Sequence, residues 1–182
     1  MDLTVKDCQC LGIFGESGCG KSLLLRAIAD LDRHQGEVML DDVPASQTPA
    51  PQWRQQVSLL PADSEWWFDT VGEHFSQLDA DAAALLGFKK PVHDWQVSRL
   101  SSGEKQRLAL LRVLQQQPRV LLLDEPTANL DRENTRLFEA MVADYLARHQ
   151  ACALWVSHDL DQLSRVCDSI YELKQGQLVK QS

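Results

Sequence analysis

Three short runs in this chain carry residue types at spacings that can do chemistry. The first, Gly15 to Ser22, reads GESGCGKS and fits G-x-x-x-x-G-K-[ST] at every constrained position. Glycine and small residues along Gly15, Glu16, Ser17, Gly18, Cys19 and Gly20 let successive backbone N–H groups turn inward around phosphate oxygens. The helix start at Lys21, Ser22 and Leu23 adds its positive end to the same cradle. Lys21 is then a point charge for β- and γ-phosphates, and the Ser22 hydroxyl a ligand for Mg²⁺. Cys19, inside this loop, reads as a small space-filling residue or as a thiol activated by a helix N-terminus, and the former needs no special exposure.

The second run is VLLLDEP, Val120 to Pro126, which places Asp124 at the end of an apolar strand and Glu125 just past it. Alone, an acidic pair after four apolar residues is an ordinary solvated strand end. Downstream of a phosphate loop it gains a use: Asp124 holds Mg²⁺ through water, and Glu125 orients or deprotonates a water attacking the γ-phosphate. The third run is LSSGEKQR, Leu100 to Arg107, in which Ser101 and Glu104 have the S-x-x-E spacing of a capping box. A serine, a glycine and a helix N-terminus can equally form a second anion site. Local physics leaves both readings open.

The elements that must hold these residues alternate. Cys8 to Phe14 is a short apolar run ended by glycine, which predicts a buried strand, and Ser22 to Leu31 repeats apolar residues at helical spacing. Gly36 to Leu40 and Val57 to Leu60 read as strands, with an acidic turn at Asp41-Asp42 and a loop rich in Pro, Ala and Gln between them. Residues 65 to 97 read as helical with an interruption at Pro91. Helices are expected over Glu104 to Gln116 and Asn134 to Arg148. Bare apolar strands are expected at Val120 to Leu123 and Ala153 to Val156, and a terminal hairpin turning at Gln175-Gly176. Buried strands alternating with helices predict an α/β fold with a mainly parallel sheet.

Composition narrows the function classes. The chain has 182 residues, of which 18 are basic and 26 acidic, for a net charge of −8. Such a balance argues against a nucleic-acid face, which needs a clustered basic surface. The longest apolar run, AAALLGF, is too short to span a bilayer. The start MDLTVKDCQC lacks the features of a signal peptide, and five cysteines without framework spacing fit a reducing compartment. The expectation is a single acidic, cytoplasmic domain.

Taken in order, GESGCGKS, LSSGEKQR, LLLDEPTANLD and WVSHD closely resemble the motifs of the ATP-binding cassette (ABC) ATPases, over nearly the whole chain. The resemblance implies a RecA-like P-loop core, residues 1–63 and 118–182, with a small α-helical signature subdomain at about 64–117. It implies that Ser101, Ser102, Gly103 and Glu104 contact the γ-phosphate bound by an opposite protomer. It also implies that Asp131 lies at the dimer interface and that His158 senses the γ-phosphate. The activity implied is Mg²⁺-dependent ATP hydrolysis, with Lys21, Glu125 and His158 as its catalytic groups. The partners implied are a second cassette, identical or not, and a separate transmembrane subunit that holds the protein against the inner face of the membrane; no nucleic acid is expected. GEKQR and LWVSHD look more like small exporter-type cassettes.

Three positions depart from the family pattern. None of the residues before Phe14 is aromatic, so recognition is expected to rest on the triphosphate more than on the base. Ala62 stands where the family has a glutamine that reaches Mg²⁺, and Asp63 and Glu65 are the nearby carboxylates that could take its place. Ser102 replaces the usual second glycine of the signature with another small residue, a change expected to be tolerated. Trp66 and Trp67, next to the altered loop, read either as anchors for a membrane subunit or as packing within the subdomain. Two other readings were weighed: a soluble ABC ATPase unrelated to transport, and a regulatory cassette with weak hydrolysis. The first is disfavoured by the single cassette and by the mere 37 residues between Ala62 and Leu100. Intact Lys21, Asp124, Glu125 and His158 speak against the second.

Overall fold

The computed structural model describes residues 2–181. In chain order its elements are β1 (Cys10–Phe14), α1 (Lys21–Ile28), β2 (Met39–Leu40), β3 (Val43–Pro44), α2 (Ala50–Gln56), β4 (Val57–Leu60) and α3 (Ala80–Leu85). They continue with α4 (Ser102–Leu114), β5 (Val120–Asp124), α5 (Arg132–His149), β6 (Cys152–Val156), α6 (Leu160–Val166), β7 (Ser169–Lys174) and β8 (Gln177–Lys180). Six of the strands form one sheet in the order β4-β5-β6-β1-β7-β8, parallel except for the β7–β8 hairpin. The expected α/β fold with a mainly parallel sheet is the observed one.

Strand residues are apolar throughout because both faces of the sheet are covered. Leu121, Leu123, Ala153 and Trp155 point to one side, where they meet Leu108, Leu110 and Leu111 of α4, Phe138 and Val142 of α5, and Leu163 of α6. Leu122, Leu154 and Val156 point to the other, with Ile13 of β1, against Leu25 and Ala29 at α1 and Trp53 of α2. The alternation is the two-residue period of a strand. α6 lies so close to β1 that a Cβ on Gly12 would sit 3.2 Å from both Cys167 Sγ and a Leu163 methyl.

Most expected elements appear with ends shifted by a few residues: α1, α4, α5, β1, β5, β6 and the hairpin, whose turn residues Gln175 and Gly176 both have positive φ. Three differences have physical causes. The strand expected over Gly36 to Leu40 shrinks to Met39–Leu40, paired with Val43–Pro44 around Asp41 and Asp42, both left-handed. The Pro/Ala/Gln loop holds a helix, α2, with proline in its first turn, where a missing N–H costs nothing. Trp53 anchors that helix through an indole N–H donated to Ile28 O at 3.0 Å.

The third difference is the largest. Residues 65 to 97, expected to be helical, contain only the six-residue α3 and a short 3₁₀ turn at Gly72–His74. The chain at Asp69–Gly72 instead pairs with 93–97: Val71 N–H donates to Trp95 O, Gly72 N–H to His93 O, and Val97 N–H to Asp69 O. This long-range pairing outcompetes the weak helical pattern. α6, not expected from the sequence, is a short helix capped by Asp159, whose side chain accepts from Gln162 N–H.

The stretch entering β5 is held by one buried hydrogen bond, in which Tyr145 Oη donates to Pro118 O at 2.7 Å. Tyr145→Phe should leave that carbonyl unsatisfied and lower stability by about 1–2 kcal/mol, read from urea unfolding midpoints.

Candidate functional site

β1 ends at Phe14 and the chain enters the phosphate loop directly. Gly15 is required by proximity: a Cβ there would lie 2.6 Å from the backbone oxygen of Leu173 in β7. Gly18 and Gly20 instead supply backbone conformation, with φ of +80° and +103° in open space. Cys19 is half-buried and packs against the core under the loop, so the space-filling reading holds. Lys21 is buried, and its ammonium donates to Gly15 O at 2.9 Å and Glu16 O at 3.1 Å. The cation is thereby stored inside the loop, against carbonyls that an incoming phosphate can replace. Ser22 and Leu23 are exposed on the first turn of α1.

The carboxylates sit at the ends of neighbouring strands, where ligands of such sheets bind. Asp124 is buried as the last residue of β5. Glu125 follows with φ of +45°, a left-handed conformation that costs a non-glycine residue about 1–3 kcal/mol. Its N–H donates to Val156 O at 3.0 Å, which fixes the turn against β6. His158, just past β6, comes to this carboxylate: Nε2 is 3.2 Å from Oε1, and the His158 backbone N–H donates to Oε2 at 3.4 Å. The Nε2 contact is within ion-pair distance but poorly aimed, so the buried Oε1 has no hydrogen-bond partner among the described residues. Burial pushes the Glu125 carboxyl above the usual carboxylate range, while His158 and Lys21 pull it back. A carboxylate so placed can orient or deprotonate a water in front of a bound phosphate.

The start of α4 is a separate feature. Ser101 and Glu104 form the capping box, with Ser101 N–H donating to Glu104 Oε2 at 2.8 Å and Glu104 N–H to Ser101 Oγ at 3.2 Å. Gly103 is required by a close approach, since a Cβ would lie 2.9 Å from Asn129 O. Ser102 is exposed, so its side chain has room. A cavity of about 270 Å³ lies between this helix start and the loop after β4, lined by Ala62, Asp63, Ser64, Ser102, Gln106 and Asn129, among others. Asp63 faces this space and Glu65 does not. No hydrogen bond joins Ser101–Glu104 to the phosphate loop among the described residues. Asp131 caps α5, accepting from Asn134 N–H at 2.8 Å and Asn134 Nδ2 at 2.9 Å, and these bonds hold its carboxyl below the usual range.

Trp66 and Trp67 part company. Trp66 packs against the core, while Trp67 and the next residue, Phe68, are exposed by 64% and 47%. The Arg112 guanidinium lies over both indoles, at 4.6 and 4.9 Å. His74 fixes the segment from beneath, its Nε2 accepting from the N–H groups of Trp67 and Phe68.

Two polar positions were missed by sequence reasoning. Gln106, buried in α4, donates to Pro61 O at 3.0 Å and accepts from Ser64 Oγ at 3.3 Å, tying the helix to the loop beside Ala62. Gln162, buried in α6, bonds to Ser157 and Thr127 on either side of the Glu125–His158 pair. For Gln106 a polar residue among the buried positions of an expected helix was the available signal, whereas Gln162 lies in a helix that the sequence reading did not include.

A phosphate loop opening a helix, with a buried Asp124 and a half-buried Glu125 at the end of a strand of the same parallel sheet, defines a P-loop nucleoside triphosphatase. Comparison with known proteins narrows this. The ABC transporter family model matches residues 1–128. The aliphatic sulfonates import ATP-binding protein SsuB 3 of Paraburkholderia xenovorans (strain LB400) is 34% identical over 181 residues, 98% of this chain and 71% of that protein. The probable iron export ATP-binding protein FetA of Escherichia coli (strain K12) is 34% identical over 165 residues, 84% of this chain and 73% of that one. Among solved structures, the dimeric structure of the bacterial ABC transporter cassette MJ0796 superposes with a TM-score of 0.83. It covers 99% of this chain and 88% of that one at 20% identity. The chain belongs to the ABC transporter family and is one of its ATP-binding cassettes, an ATPase. No helix among the described residues is long and apolar enough to cross a membrane.

The contact between Gly103 and Asn129 gives a test of the geometry. Gly103→Ala should force the start of α4 away from backbone and lower stability by about 1–3 kcal/mol, visible as a reduced thermal midpoint.

Proposed function

We propose that this cassette binds ATP with Mg²⁺ between its phosphate loop and the signature of a second cassette. Hydrolysis there drives transport through a separate membrane subunit. The observation that carries the proposal is the meeting of Glu125 and His158 at 3.2 Å, at the ends of two adjacent strands beside the one that leads into the phosphate loop. On this reading Gly15 to Gly20 wrap the phosphates with backbone N–H groups, and Lys21 exchanges its two loop carbonyls for phosphate oxygens. The Ser22 hydroxyl and the Asp124 carboxylate are the residues that would hold Mg²⁺, which when bound neutralises charge on the phosphates. The Glu125 carboxylate orients or deprotonates the attacking water, and His158 holds the other side of the γ-phosphate.

Ser101, Ser102, Gly103 and Glu104 serve the nucleotide of the opposite cassette. Asp131 lies between the two cassettes, and Asp63 stands in for the glutamine that Ala62 replaces. The core takes residues 1–63 and 118–182, and the subdomain about 64–117. Trp67 and Phe68 form an exposed aromatic edge suited to anchoring the membrane subunit, which would hold the cassette at the inner face of the membrane. The relatives named above are an importer subunit and an exporter subunit, so they do not favour the exporter-type likeness over an importer.

Glu125→Gln keeps shape and removes the base. ATP should still bind, hydrolysis should fall by about a thousandfold, and ATP should gather the variant into dimers seen by light scattering. Parental hydrolysis would reject Glu125 as the base. Lys21→Ala should weaken ATP binding by about tenfold or more in calorimetry, since it removes the loop's only aimed cation. Equal affinity would reject the phosphate-loop assignment.

A further inference from the structure

Behind the Glu125–His158 pair runs a buried polar chain that the mechanism above does not use. Its centre is Gln162 of α6, which is 2% exposed. Gln162 Oε1 accepts from Ser157 Oγ at 3.0 Å, and Ser157, itself buried, immediately precedes His158. Gln162 Nε2 donates to Thr127 Oγ1 at 2.8 Å, two residues past Glu125, and to Glu139 Oε1 of α5 at 2.8 Å. Glu139 is buried and paired with Arg165, whose Nε and Nη2 donate to its two oxygens at 3.0 and 2.7 Å. The backbone is drawn in as well: Asp159 N–H donates to Ser157 Oγ at 3.1 Å, and Gln162 N–H to Asp159 Oδ1 at 3.0 Å.

This arrangement has a direction. The Glu139 carboxylate can only accept, so the Gln162 amide must turn its Nε2 toward Glu139 and Thr127 and its Oε1 toward Ser157. The opposite flip would set Oε1 against the carboxylate and turn Nε2 onto the Ser157 hydroxyl. One side chain therefore fixes two loops with a definite polarity: the loop carrying His158 and the segment running from Glu125 to Asp131. A purely packing role would be served by leucine, as at the neighbouring Leu163.

We infer that Gln162 is a positioning residue for hydrolysis, setting His158 against Glu125 by clamping Ser157 to Thr127. The inference rests on the proposed catalytic roles of Glu125 and His158. Among the described residues Gln162 makes no hydrogen bond to the phosphate loop, so its replacement is expected to act on the chemical step and not on substrate affinity.

The test uses three variants, Gln162→Leu, His158→Ala and their combination, with kcat, KM for ATP and thermal midpoint measured for each. Gln162→Leu should lower kcat by about tenfold and leave KM within about twofold, the signature of a group acting on the chemical step alone. In the His158→Ala background it should lower kcat by less than about twofold further, because the residue it positions is gone. An unchanged kcat in Gln162→Leu, or a full second tenfold loss on top of His158→Ala, overturns the inference. Parental kcat in His158→Ala alone instead overturns the role given to His158, and the inference falls with it.

Should Gln162→Leu fail to fold, Gln162→Glu keeps the shape and sets two carboxylates face to face. Its kcat should fall by about tenfold, and adding Glu139→Gln, which returns a donor to the pair, should restore it to within about threefold. A double variant no better than Gln162→Glu overturns the inference.

Discussion

Ile13 of β1 and Asp124 of β5 both pair with Val156 of β6, so three parallel strands end level with one another. That register is what the site depends on. It brings the phosphate loop, Glu125 and His158 to one end of the parallel strands, with no hydrogen bond between the first and the other two among the described residues. Strand side chains alternate between faces, so a slip of one residue in β5 would exchange Leu122 and Leu123 between the two cores and withdraw Glu125 together with them. The cores on the two faces thus hold the chemistry in place, and the left-handed turn at Glu125 can persist because its N–H is tied to Val156.

The second layer of control is polar. Three of the helices that follow the loops begin on a capping side chain. Asp131 caps α5, Asp159 caps α6, and Ser101 caps α4. These caps satisfy helix N–H groups that would otherwise be orphaned, and they also define where each loop ends. Gln106 and Gln162 do the corresponding work from inside their helices, reaching back to the loops at Pro61 and Ser157.

The parts of this arrangement that could be read from the sequence are those where one local pattern faces no competitor. GESGCGKS, the bare apolar strands and the S-x-x-E cap each imply their local structure, and the structure has it. Residues 65 to 97 failed because their weak helical spacing was outweighed by pairing with a partner more than twenty residues away, which no short window contains. α2 was hidden by reading its proline as a breaker when it stood in the first turn. Trp66 and Trp67 are identical in type and adjacent in sequence, and both lie under Arg112, yet only Trp66 reaches the core, which no local pattern signals. Gln162 lacked any motif, and its meaning lies wholly in what three other elements bring to it.

The capping box at the start of α4 has a consequence for how the cassette meets anions in general. The Ser101 hydroxyl donates to Glu104 Oε2 at 2.8 Å, so the helix end carries its own built-in counter-charge. A solitary sulfate or phosphate approaching this helix end meets a carboxylate already tethered in front of it, which opposes the attraction of the helix N–H groups. A guest anchored elsewhere is itself tethered and meets that opposition at a smaller cost.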